Sequence, residues 1–249
     1  MKKIRTLYKT EMILAWRSPD SVIFGMIMPV VVMGLTVLIY KDHPYSRGLL
    51  EETMGAYLSI GICAFGLMSL PLVLSDYRSR KVLKRFQVTP VSPGLLLTVQ
   101  VLVQGSMALI SAGITALAAA LFFSWTFQGN PAAFLTAFLL VAGCIFSIGL
   151  VIASTAKDFK KAGVLCSIVY FPMLLLSGAM IPYSVFPLWL QTGASWLPLR
   201  QGIIILNRIA AGQQGKQALF SPETGVLLLI ILLCTGLSLK TFRWDLPGS

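Results

Sequence analysis

Six mostly apolar runs, none with a charge in its central part, divide this chain, at about 22–40, 55–75, 95–123, 132–155, 162–181 and 224–242. A helix rises about 1.5 Å per residue, so most of these runs are long enough to cross a hydrocarbon layer about 30 Å thick. A soluble domain carries about 25% charged residues. This chain carries 12%, with 56% hydrophobic residues and a mean hydropathy of +0.81. One water-soluble core cannot hide that much apolar surface, so the chain reads as an all-α integral membrane protein with six transmembrane helices. The third run exceeds what a straight span requires, which implies tilt or projection beyond the bilayer. The last has only sixteen uncharged residues, Thr224 to Leu239, and Lys240 and Arg243 extend it by reaching toward headgroups.

Basic residues set the orientation. The net charge is +11. In a soluble protein that would suggest nucleic acid; in a membrane protein, lysine and arginine collect on the cytoplasmic side, and no nucleic-acid partner is expected. The N-terminus holds five, loop 76–94 five, loop 156–161 three and the tail two. Loop 41–54 holds two, loop 124–131 none and segment 182–223 three, so alternate sides hold fifteen and five. Both termini and the loops at 76–94 and 156–161 are therefore expected in the cytoplasm, in a multi-pass protein of the cell membrane. Met1-Lys2-Lys3 resembles the start of a signal peptide, but Glu11, Arg17 and Asp20 break up the next stretch of chain, and the segment is expected to be retained.

Residues 1–20 form a candidate interfacial helix. Ile4, Leu7, Tyr8, Met12 and Ala15 fall on one face and Lys2, Arg5, Lys9 and Arg17 on the other. Glu11 intrudes on the apolar arc; the alternative is a basic tail that only fixes topology. Segment 182–223 is punctuated by Pro182, Pro187 and Pro198. Between them lie "LWLQTGASWL", with Trp189 and Trp196, and "LRQGIIILNRIAAG", whose apolar centre is too short to span. Such stretches suit short re-entrant or interfacial helices between spans five and six. Arg200 and Arg208 read as anchors pointing to headgroups or water, with a substrate contact as the alternative.

Several chemistries are missing. Cys63, Cys144, Cys166 and Cys234 sit in apolar runs without metal-site or disulfide spacing, and His43 is the single histidine. "AGQQGKQ" at 211–217 lacks both the first glycine and the Ser/Thr of a P-loop. Glu51-Glu52 reads as a solvated pair, although an intramembrane enzyme would need such acids. No span carries an ionisable residue in its centre, as ion-coupled carriers do. If this chain transports anything, the energy comes from another polypeptide.

Three stretches, in order, carry a resemblance. "RSPD", Arg17 to Asp20, comes after the basic amphipathic segment and leads into a span with a mid-helix proline, Pro29. "KRFQVTPVSPGLLL", Lys84 to Leu97, is a basic, punctuated element between spans two and three. "LSGAMIPYSVFPLWLQTGASWLPLRQGI", Leu176 to Ile203, is the proline- and tryptophan-marked end of span five. Over nearly its whole length the chain resembles the membrane subunit of type-2 exporter ABC transporters, the permeases that pair with a separate ATPase. It departs from that pattern at Ser79-Arg80-Lys81, where many relatives carry an acid and a glycine, and at Leu197, where many carry asparagine. The first departure mildly favours a heterodimer.

The resemblance implies that the loop 76–94 holds a short coupling element against which cytoplasmic ABC ATPase subunits dock. Its candidate contacts are Arg80, Lys81, Lys84, Arg85, Thr89, Pro90, Ser92 and Pro93, with Arg78 also read as facing acidic ATPase surface or anionic lipid. Thr89 can cap a helix start and Pro90 suits its first position. It also implies that the chain is half of a dimeric pathway, completed by a second permease of the same or a different kind. Candidate lining residues on spans two and five are Ser59, Phe65, Ser69, Ser167, Tyr170, Phe171 and Ser177. A charge-free, mainly apolar cavity suits hydrophobic or amphipathic cargo such as drugs, antibiotics or lipids. The chain itself is expected to bind no cofactor, ATP and magnesium being used by the partner. The rival function is a sensory or assembly subunit that moves nothing.

Overall fold

Prolines and capping residues decide where these helices start and where they swell. The computed structural model describes residues 2–40, 49–80, 93–156, 158–181, 183–213 and 221–241, and all regular structure among them is helical. Helix α1 is Lys2–Arg17. The long helices come next as α2 (Pro19–Ile39), α3 (Glu52–Ser79), α4 (Pro93–Phe123), α5 (Pro131–Thr155) and α6 (Phe159–Leu176). Two short helices, α7 (Leu188–Ala194) and α8 (Pro198–Ala210), precede α9 (Pro222–Thr241). Among the described residues five helices, α2 to α6, are long and apolar enough to cross a membrane; α9 is apolar over the shorter stretch Pro222–Ser238.

The starts have local causes. Pro131 opens α5, where its missing N–H costs nothing, and Asn130 Oδ1 accepts from the N–H groups of Ala132 at 2.9 Å and Ala133 at 3.3 Å. Asp158 caps α6 by accepting from the Lys161 N–H at 2.8 Å. α2 and α3 each widen into a π turn, Ile23–Ile27 and Ala64–Ser69, just ahead of Pro29 and Pro71. A proline has no N–H, and its ring collides with the carbonyl four residues back, so the turn before it opens. In α2 the carbonyl left without that partner belongs to Gly25, and Ser111 Oγ of α4 donates to it. A break in one helix thus becomes a bond between two.

Small residues then let backbones approach. A Cβ on Gly25 would lie 2.4 Å from the Phe65 ring, and one on Gly149 would lie 2.0 Å from the Gly66 carbonyl oxygen. These crossings make α3 the hub: 83% of its most apolar window is buried, against 28% for α2 and for α6. At the end of the bundle opposite α1, α8 packs on α3, α5 and α9 with Leu199, Ile203, Ile205, Leu206 and Ile209 buried. Asn207 Oδ1 there accepts from the Gly55 N–H at 2.6 Å. By sequence, Arg200 and Arg208 point to headgroups or water; in the fold each has a partner. Arg200 lies 3.7 Å from the Tyr183 ring centroid, and Arg208 pairs with Glu223 at 3.0 Å. Tyr183 of the turn after α6 and Glu223 of α9 supply those partners, and both arginines remain partly exposed. Trp189 and Trp196 remain exposed, as interface tryptophans are.

Candidate functional site

Glu11 interrupts the apolar arc of α1, and the packing of α1 explains it. α1 lies antiparallel along the beginning of α4. Tyr8 Oη donates to Ser106 Oγ at 2.7 Å, and Glu11, further along α1, meets Gln100, earlier on α4. Glu11 is only 6% exposed, and its carboxylate accepts from Tyr77 Oη and Gln100 Nε2, each at 2.6 Å. Hydrogen bonds to a charged group contribute about 1.5–3 kcal/mol each. One carboxylate therefore ties α1 to α3 and α4, while Leu7, Tyr8, Met12 and Ala15 pack on the core.

Beside this knot lies a cavity of about 580 Å³. α1 contributes Glu11, Leu14 and Ala15, the first turns of α2 contribute Asp20, Ser21 and Phe24, and α4 contributes Gln100 and Gln104. α3 and its C-cap Arg80 supply one wall from Ala64 onward, and Phe159 of α6 closes another side. The two π turns border it: Phe24 comes from the first, and Ala64, Met68 and Ser69 from the second.

The end of α3 is fixed just below the cavity. Arg78 is 6% exposed and its Nη1 donates to the Ala156 carbonyl at the end of α5, at 2.7 Å. Arg78 is thus not one of the outward-facing cations of the loop: a helical step of two residues from Arg80 turns it into the bundle. Arg80 Nε donates to Asp76 Oδ1 at 2.8 Å, and this hydrogen bond and the carboxylate charge raise the pKa of the guanidinium above its ordinary value. Both groups meet solvent, so the pair adds little stability.

Residues 2–209 match the family model described as ABC-2 type transporter. The chain belongs to the ABC-2 type transporter family. Nodulation protein J of Rhizobium leguminosarum bv. trifolii is 32% identical over 137 residues, which is 55% of this chain and 50% of that relative. The chain spans about half the length of this curated relative in the match. As an ABC-2 type permease it is a multi-pass membrane protein, in keeping with its five apolar helices of spanning length.

Of the permease residues expected at the coupling element, Arg80 caps α3 and Pro93 opens α4, while Lys81, Lys84, Arg85, Thr89, Pro90 and Ser92 lie outside the described residues. Of the candidate lining residues, Ser69 borders the cavity, its Oγ 3.0 Å from Ser21 Oγ. The hydroxyls of Ser59, Ser167 and Ser177 donate to carbonyls of their own helices, those of Gly55, Gly163 and Leu174. Phe65 is buried against Gly25. Tyr170 is buried edge-on to Phe171 at 5.3 Å, and Phe171 is exposed on the flank of α6.

The cavity residues Glu11, Asp20, Tyr77, Gln100 and Gln104 are absent from the sequence-based candidates. Two signals pointed to them: an acid on the apolar arc of an amphipathic helix, and two glutamines one helical turn apart in an apolar run.

Proposed function

We propose that this permease forms half of a dimeric, ATP-driven export pathway and receives its driving motion from a separate cytoplasmic ATPase through residues 81–92. The observation that carries this is the anchoring of both ends of that link. α3 ends at Ser79 with Arg78 held to α5, and α4 begins at Pro93 with Glu11 holding its first turns to α1 and α3. A push delivered at the end of α3 and the start of α4 passes through these anchors into α1, α3, α4 and α5 together. The family of the chain supports the same reading, since its members are the membrane parts of ABC transporters.

In this reading α9 is the sixth span, both termini are cytoplasmic, and α7 and α8 are the re-entrant pair on the outer side. Lys81, Lys84, Arg85, Thr89, Pro90 and Ser92 then meet the ATPase. The outward faces of α2 and α6, with Ile27, Leu35, Val164 and Ile168 exposed, are available to a second permease or to lipid. Cargo is hydrophobic or amphipathic: a drug, an antibiotic or a lipid. Alkaline phosphatase fusions test the orientation: activity is expected for fusions at Gly129 and none at Lys157. Activity at Lys157 would invert the topology, put 81–92 outside the cell, and end the coupling reading.

A further inference from the structure

The geometry points to the cavity between α1, α2, α3 and α4 as a binding site for a cationic amphiphile, a protonated amine on an apolar body. Its volume of about 580 Å³ is that of a small-molecule site, which commonly measures about 300–1,000 Å³. The walls are apolar, with Leu14, Phe24, Met68, Leu72 and Val73 among them. An apolar tail fits there without desolvating polar groups.

Beside the hydroxyls of Ser18, Ser21, Ser69 and Tyr77 and the guanidinium of Arg80, those walls carry carboxylate and amide acceptors. Glu11 is a buried carboxylate that receives two hydrogen bonds but, among the described residues, no cation. A buried charge ordinarily has an ionic partner. Gln104, one helical turn beyond Gln100, is 1% exposed and lines the cavity, and its Oε1 has no hydrogen-bond partner among the described residues. A buried acceptor left unfilled is rare enough to require a reason. Asp20 and Asp76 add negative charge, and among the described lining residues the one cation, Arg80, is already joined to Asp76. Among the described residues, two buried acceptors and a surplus of negative charge favour a ligand that brings N–H donors and positive charge. The rings of Phe24, Tyr77 and Phe159 also line the cavity and favour a cation. Both π turns border the cavity, and π turns in α-helices frequently mark functional sites.

The ammonium group can come from an aminolipid or from a free lipophilic amine. The binding claim stands apart from coupling at residues 81–92, so loss of the ATPase interaction would not touch it. The test uses the full chain in dodecyl maltoside with two photoreactive probes, a diazirine dodecylamine and the matching neutral diazirine dodecanol, mapped by mass spectrometry. The amine is expected to label peptides containing Leu14–Phe24 and Leu72–Tyr77. Glu11→Gln and Gln104→Leu are each expected to reduce amine labelling about tenfold and leave alcohol labelling unchanged, the factor expected for losing a bond to a charged group. Glu11→Gln keeps the shape and the acceptor for Tyr77. Gln104→Leu leaves the Glu11 knot intact, so a fold defect in one variant does not decide the matter. Competition by phosphatidylethanolamine supports a lipid source, and competition by unlabelled dodecylamine alone supports a free ligand. Equal labelling by amine and alcohol, amine labelling unchanged in both variants, or no competition by either amine would overturn the proposal.

Discussion

Gly149→Ala is expected to loosen the hub of the bundle. The added Cβ would sit 2.0 Å from the Gly66 carbonyl oxygen and 3.1 Å from its carbon. Those atoms are backbone in a π turn and cannot swing aside as a side chain would. α3 and α5 must therefore separate locally by roughly 1 Å in a closely packed interior. Overpacking of this sort costs about 1–3 kcal/mol. Alanine returns up to about 1 kcal/mol through its better helix propensity. Gly113→Ala is the control, since its Cβ meets nothing within 4 Å and only the propensity gain applies. The two variants should differ by about 2 kcal/mol, or about 4–8 °C in midpoint for a chain of this size. The assay is thermal unfolding of the detergent-solubilised chain, read by size-exclusion chromatography. Midpoints within about 1 °C of each other would refute the close contact of α3 and α5 at Gly66.

Two further predictions rest on the same packing. Tyr77→Phe removes one of the two donors to Glu11 and should cost about 1.5–3 kcal/mol, read as faster tryptic cleavage at Lys9 of a loosened α1; unchanged cleavage would place the anchor of α1 elsewhere. Cys63, Cys144 and Cys166 are buried and Cys234 is partly exposed, so N-ethylmaleimide should label Cys234 first, and Cys234→Ser should abolish the fast phase.

The long helices were legible because membrane crossing imposes length and apolarity, and both are written into the composition of each run. Pro29 marked the disturbance in the first span, and the π turn it produces arises from the missing N–H. The cavity was harder to read. Glu11 looked like a flaw in an amphipathic helix because the wheel shows which side a residue takes and not what stands opposite. Tyr77 and Gln100 are 66 and 89 residues away from it in sequence. Arg78 was misplaced for a related reason: it shares a basic segment with Arg80, but a step of two along a helix sends it inward to Ala156. The serines of α3 and α6 are expected as pathway polar groups; in the fold Ser59 and Ser167 donate to carbonyls of their own helices.

The most direct test of coupling is affinity purification of the tagged chain from its native membranes, with vanadate-sensitive ATP hydrolysis measured in the eluate. The native chain is expected to carry ATPase activity with it. A variant with residues 81–92 replaced by a Gly/Ser linker is expected to elute folded, with the same thermal midpoint, and without that activity. Full retention of ATP hydrolysis by the linker variant would contradict the assignment of this loop as the contact through which the permease is driven.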